Sequence, residues 1–140
     1  MLLLICAAVH LALALISPSA WWVPDLTLVG LVLSVARFPS KWLLLSGVAG
    51  LLTSAWAVQS FSLMFAGYLL VGWATRIAGH RWDVTDVRIE SWLAGGGSLL
   101  LTLAAFWLHD QWSPVLLFLM TVRTALTCSA VALVHPLAAK

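Results

Sequence analysis

The sequence predicts an all-α integral membrane protein, a compact bundle of about six short transmembrane helices. Two observations support this fold class. The 140 residues are 63% hydrophobic and carry only 7 Lys or Arg and 5 Asp or Glu, whereas about a quarter of the residues in a soluble domain are charged. The apolar residues also form long runs with the charges in the gaps between them, which is the pattern expected where lipid is the solvent.

The chain has no room for a separate soluble domain. Its longest polar stretch, 76–91, is too short to bury a hydrophobic core. We therefore predict a single transmembrane helical domain over 1–140, and catalysis in an aqueous domain is excluded. The net charge of +2 is scattered among loops, whereas nucleic-acid binding needs a basic face.

Each predicted span is a helix, because an open sheet cannot satisfy its backbone hydrogen bonds in lipid. Trp21 and Trp22 suit the membrane interface, and Pro24 suits a first helical turn. The stretch 76–90 is the one long loop expected. The break at 59–60 is so short that the third and fourth spans could form a hairpin that does not fully cross. The predicted spans are 2–17, 21–36, 42–58, 61–75, 91–108 and 115–134.

The positive charges predict that both termini are cytoplasmic. With the N-terminus inside, the second loop, the fourth loop and the tail are cytoplasmic, and basic residues concentrate there as the positive-inside rule requires. Asp25 and Asp110 then lie on the outer side. The six cations placed inside are Arg37, Lys41, Arg76, Arg81, Arg88 and Lys140.

No catalytic, cofactor or metal site is expected. The four histidines, His10, His80, His109 and His135, fall on both sides of the membrane and at different depths. No histidine is expected to form a catalytic group with a carboxylate or thiol. Cys6 and Cys128 lie in apolar runs and suit packing rather than a disulfide.

Arg123 needs a partner, because it lies near the middle of the sixth span, where an unpaired cation costs at least about 2.5 kcal/mol. No acidic residue is expected within the spans. The candidate partners are a helix-end carbonyl, a water-filled cavity, another subunit, Gln59, or a hydroxyl of Thr53, Thr121 or Thr124. An internal polar network and a contact with a partner protein both remain open.

Small residues recur four apart on two spans, a spacing that lets helix backbones approach closely. They are Ser46, Gly50 and Ser54 on the third span, and Thr121, Ala125 and Ser129 on the sixth. Packing inside the bundle explains such stripes, and so does docking of a partner. Together with Arg123, these residues are the candidate partner-binding positions.

Several short motifs follow one another along the chain: Pro24-Asp25-Leu26, Arg37-Phe38-Pro39, Gly50-Leu51-Leu52, Gly67-Tyr68-Leu69 and the late Pro136. Their order resembles the MreD family of rod shape-determining membrane proteins, which are small helical bundles of the bacterial inner membrane. Ser54 stands where that family usually has Asp.

The resemblance implies a non-enzymatic, multi-pass subunit of the bacterial cell-wall elongation machinery in the inner membrane. Such a subunit binds the MreC scaffold, supports cell shape, and works with a RodA-type glycosyltransferase and a class B penicillin-binding protein. Membrane lipid is the other expected partner, and no cofactor is implied.

Two alternatives belong to other functional classes. A bundle like the substrate-binding subunits of energy-coupling factor transporters would enclose a small molecule. It needs an outward-opening cavity with convergent polar groups, and the short outer loops disfavour it. An accessory subunit of another membrane complex predicts the same hydropathy profile.

Overall fold

The computed structural model describes residues 1–17, 23–54, 61–109 and 112–138, with His109 described by its backbone alone. These residues form six α-helices and no strand. The all-helical prediction and its six helices are therefore confirmed for this part of the chain. The helices are α1 (Leu2–Ile16), α2 (Leu26–Arg37), α3 (Trp42–Ser54), α4 (Phe61–Ala78), α5 (Val87–His109) and α6 (Pro114–Ala138).

Three of the described helices, α4, α5 and α6, are long and apolar enough to cross a membrane. Of the six crossings predicted from the sequence, length and hydropathy support these three. With 12 residues, α2 is only about 18 Å long, whereas the hydrocarbon core of a bilayer is about 30 Å thick. The 59–60 break falls outside the described residues.

The helix α2 lies at the centre of the bundle. It contacts each of the other five helices, and every residue from Thr27 to Ala36 is buried. Asp25 starts the helix by accepting a hydrogen bond from the Leu28 N–H at 3.1 Å, which satisfies one of the free donors at a helix N-terminus. Pro39 follows soon after its last residue, Arg37, and such a proline favours a helix end.

The predicted loop from 76 to 90 is shorter in the structure, which corrects the sequence prediction: both of its ends are helical, and only 79–86 connect the two helices. The helix α4 continues to Ala78, and α5 begins at Val87 after Asp86 accepts a hydrogen bond from the Arg88 N–H at 2.8 Å. The charged residues Arg76 and Glu90 do not end these helices, because each side chain has a partner in the bundle. The Arg76 guanidinium, for example, lies 5.7 Å from the ring centre of Trp42.

The sixth helix is also longer than predicted, because α6 runs through His135 and Pro136 to Ala138. At its start, Ser113 accepts a hydrogen bond from the Leu116 N–H at 3.1 Å. Pro114 occupies the first helical position, where its missing N–H costs nothing. The extension matters because it brings His135 into the bundle.

Close backbone approaches join α3 to α4. A Cβ atom added at Gly50 would lie 2.9 Å from Phe65 Cδ2, and one added at Gly72 would overlap the Ser46 hydroxyl. Only small residues fit at these contacts, so the stripe on α3 packs against α4.

Candidate functional site

Asp25 anchors a buried polar cluster at the N-terminal end of α2. The residue is only 4% exposed. Its Oδ1 accepts hydrogen bonds from the Leu28 N–H and, at 2.8 Å, from the hydroxyl of the fully buried Tyr68. Its Oδ2 lies 3.5 Å from Nη2 of Arg123. Both carboxylate oxygens are therefore occupied.

Backbone groups near Asp25 are satisfied by side chains of α6 and α1. The Asp25 N–H donates to Oγ1 of Thr127 at 3.0 Å, and that hydroxyl donates in turn to the Arg123 carbonyl at 2.8 Å. Nδ1 of the buried His10 lies 3.0 Å from the Pro24 carbonyl oxygen. We call this group of Asp25, Tyr68, Arg123, Thr127 and His10 the Asp25 cluster; it joins α1, α2, α4 and α6.

The pairing of Arg123 with Asp25 corrects the expectation that no acidic residue lies within the predicted spans. Asp25 lies inside the second predicted span, 21–36, and that position is the sequence signal that identifies it as a candidate partner of Arg123. The two residues come from helices far apart in the chain, so their spacing gave no hint of a pair. An intramembrane arginine normally faces the bundle interior and a partner, and a search for the nearest acid within any span would have found Asp25.

A second cluster lies at the other end of α2, around Glu90. This carboxylate is fully buried. Its Oε1 accepts from Nη1 of Arg37 at 2.8 Å, and its Oε2 lies 2.5 Å from Nδ1 of His135. Arg37 also donates to the carbonyl of Leu33 at 2.9 Å. We call Glu90, Arg37 and His135 the Glu90 cluster; it joins α2, α5 and α6, and sequence reasoning missed it entirely.

Both clusters depend on α6, which supplies Arg123 to one and His135 to the other. These residues are 12 positions apart, about 18 Å along a helix, which matches the length of α2. The helix α6 therefore reaches both ends of α2, directly at Asp25 and through Glu90 of α5 at Arg37. Each buried carboxylate has both oxygens engaged by protein groups, so the arrangement can compensate buried charge and fix helix positions.

The remaining histidines and cysteines form no metal-ligand group among the residues that the structure describes. His80 is exposed in the loop after α4, and the side chain of His109 lies outside the described set. Cys6 and Cys128 are free thiols that fill space beside Gly30 and Gly95, respectively.

The two small-residue stripes have different surroundings. On α3, Ser46, Gly50 and Ser54 are buried inside the bundle. On α6, by contrast, all three stripe residues, Thr121, Ala125 and Ser129, are exposed. The structure thus leaves only the α6 stripe accessible from outside.

A groove of about 520 Å³ runs between α4 and α5; we call it the α4–α5 groove. Apolar side chains and glycines line it, among them Leu63 and Ala74 on α4 and Trp92 and Gly96 on α5. It does not offer the convergent polar groups of a site for a polar small molecule.

No protein-family model, no curated protein and no solved structure matches this chain.

Proposed function

We propose that the chain is a non-enzymatic membrane subunit that docks a partner protein through the exposed stripe of α6. The MreD resemblance gives the partner: an MreC-type scaffold of the bacterial cell-wall elongation machinery. In this proposal the protein is a multi-pass component of the inner membrane that supports cell shape, with a RodA-type glycosyltransferase and a class B penicillin-binding protein in the same complex.

The exposed face of α6 is the observation that supports this proposal. Only 17% of an 18-residue apolar stretch of α6 is buried within the protein, compared with 22% for α4 and 44% for α5. Thr121 and Ser129 donate their hydroxyls to carbonyls of their own helix, each at 3.0 Å. The side chains of this face are therefore small, and both hydroxyls are already hydrogen-bonded, as close approach of another helix requires.

The other candidate partner-binding residues serve the protein's own interior. Ser46, Gly50 and Ser54 are buried, and Arg123 is paired with Asp25. These contacts restrict the proposed docking surface to Thr121, Ala125 and Ser129.

The proposed orientation has both termini in the cytoplasm. Arg37 meets Glu90, and Arg76 lies over Trp42. Loop and helix-end cations therefore gather at one end of the bundle, which the positive-inside rule assigns to the cytoplasmic side.

The test is co-purification of the tagged chain in mild detergent, followed by mass spectrometry. The variant Ala125→Leu adds bulk to the exposed stripe. It should lower recovery of the MreC-type scaffold by at least about tenfold, because close helix packing depends on small residues. The amount of inserted chain should stay unchanged.

The matched control is Ala12→Leu, the same change at an exposed alanine of α1, and it should retain the partner. Full recovery of the scaffold with Ala125→Leu would refute the proposed surface. A stoichiometric vitamin-like molecule, or an ATPase module in place of the scaffold, would overturn the proposal in favour of a transporter component.

A further inference from the structure

The α4–α5 groove has the length of one membrane leaflet. Its lining on α4 extends from Leu63 to Ala74, which corresponds to about 16 Å of helix. Half of a bilayer's hydrocarbon core is about 15 Å thick. A second transmembrane helix would follow the bundle across both leaflets, whereas a lipid chain occupies only one.

Glycines create the space in this groove. A Cβ atom added at Gly96 would meet nothing within 4 Å, so this position opens into the groove. Gly67 and Gly97 differ, because a Cβ atom at either would run into Leu101 or Val71, respectively. Those two glycines let α4 and α5 pack at the floor, while Gly96 leaves the groove unfilled.

One end of the groove combines an interfacial aromatic with a free cation. Trp92 lines the groove and is 79% exposed. Arg88 lies one turn earlier on the same face of α5. It is exposed, and within the described residues its guanidinium forms no hydrogen bond or ion pair. Arg81, also exposed, is in the adjoining loop.

The acidic residues of that loop already have partners. Asp83 accepts hydrogen bonds from the backbone and hydroxyl of Thr85, at 3.0 and 2.5 Å. Asp86 accepts from the backbone N–H of Arg88 and so starts α5. The side chains of Arg81 and Arg88 thus remain available to an anion from outside the protein.

We propose that the α4–α5 groove binds an acyl chain of an anionic phospholipid whose phosphate is held by Arg88 and Arg81. The apolar walls accept the chain, and Trp92 lies at headgroup depth, where tryptophan is favoured. Basic residues near the membrane surface attract anionic headgroups. The site is separate from the α6 stripe and does not depend on its function.

The test is native mass spectrometry of the delipidated protein titrated with phosphatidylglycerol or with phosphatidylethanolamine of identical acyl chains. The wild type should prefer the anionic lipid by about tenfold, because two cations contribute. The double variant Arg81→Gln/Arg88→Gln should lose that preference, while Arg81→Lys/Arg88→Lys should keep it.

A second variant tests the groove itself. Gly96→Leu should weaken binding of both lipids, because the new side chain fills the space that the acyl chain needs. Gly47→Leu is its matched control, since a Cβ atom there also meets nothing within 4 Å but lies on α3; it should bind as the wild type does. Equal affinity for the two headgroups, undiminished binding to Gly96→Leu, or an equal loss in Gly47→Leu would overturn the proposal.

Discussion

Asp25 performs three tasks with one carboxylate. It starts α2 by accepting the Leu28 N–H, it accepts the buried Tyr68 hydroxyl, and it balances the charge of Arg123. Removing one member of a buried ion pair leaves an uncompensated charge, which costs far more than the pair contributes. The Asp25 cluster therefore makes the two charges depend on one another.

We expect Asp25→Asn to lower the free energy of unfolding by about 3 kcal/mol, because Arg123 loses its counter-charge in an apolar interior. The amide oxygen can still accept the Leu28 and Tyr68 hydrogen bonds, so the change isolates the charge. The double variant Asp25→Asn/Arg123→Gln should regain part of the loss. Denaturant unfolding of the wild type, the two single variants and the double variant in detergent micelles measures the coupling in a double-mutant cycle.

Asp83→Asn is the control for this substitution, because it makes the same chemical change at an exposed loop residue. Its effect should stay within about 0.5 kcal/mol. If the losses at Asp25 and Arg123 simply add in the double variant, the two charges are not coupled and the role assigned to the pair is wrong.

At the scale of elements, the α3–α4 contact is set by glycine positions. Gly50→Leu should destabilise the protein by about 1–3 kcal/mol, the usual cost of overpacking, because Phe65 already occupies that space. Gly47→Leu, one turn earlier on the same helix, should leave stability nearly unchanged. Thermal unfolding in detergent distinguishes them, and equal losses would mean that α3 tolerates no bulk at either position.

The sequence predicts the order and kind of the helices because apolar runs and prolines act locally. It fails where the decisive contact is tertiary. The charges of Arg76 and Glu90 predict a loop, because charge usually marks a gap between spans, but the buried Glu90 carboxylate pairs with Arg37 and contacts His135. The central position of α2 was equally hidden, since its hydropathy is that of any short span.

The docking candidates show the same limit. Both stripes have the same spacing in the sequence, and only the packing of α3 on α4 distinguishes the buried one from the exposed one on α6. Sequence spacing reveals that one face of a helix carries small residues, but not whether the protein's own helices already cover that face.

For the whole molecule, the testable property is orientation. Arg81→Cys should be protected from a membrane-impermeant thiol reagent added to intact cells, whereas Asp110→Cys, outside the described residues, should react. The reason is the positive-inside rule applied to the cation-rich end. The natural thiols should be replaced by Ala in both variants, and the reverse labelling pattern would invert the proposed topology.

The dependence of both clusters on α6 has a consequence for biosynthesis. The ribosome makes α6 last of the six helices, so a nascent chain presents Asp25 and Glu90 to the insertion machinery before Arg123 and His135 exist. We expect a chain stopped after residue 112 to be degraded rapidly, as a pulse–chase experiment would show, while persistence equal to the full chain would contradict this. Quality control of this protein is thereby tied to the synthesis of α6, because the buried carboxylates near the two ends of its most buried helix gain their α6 partners only then.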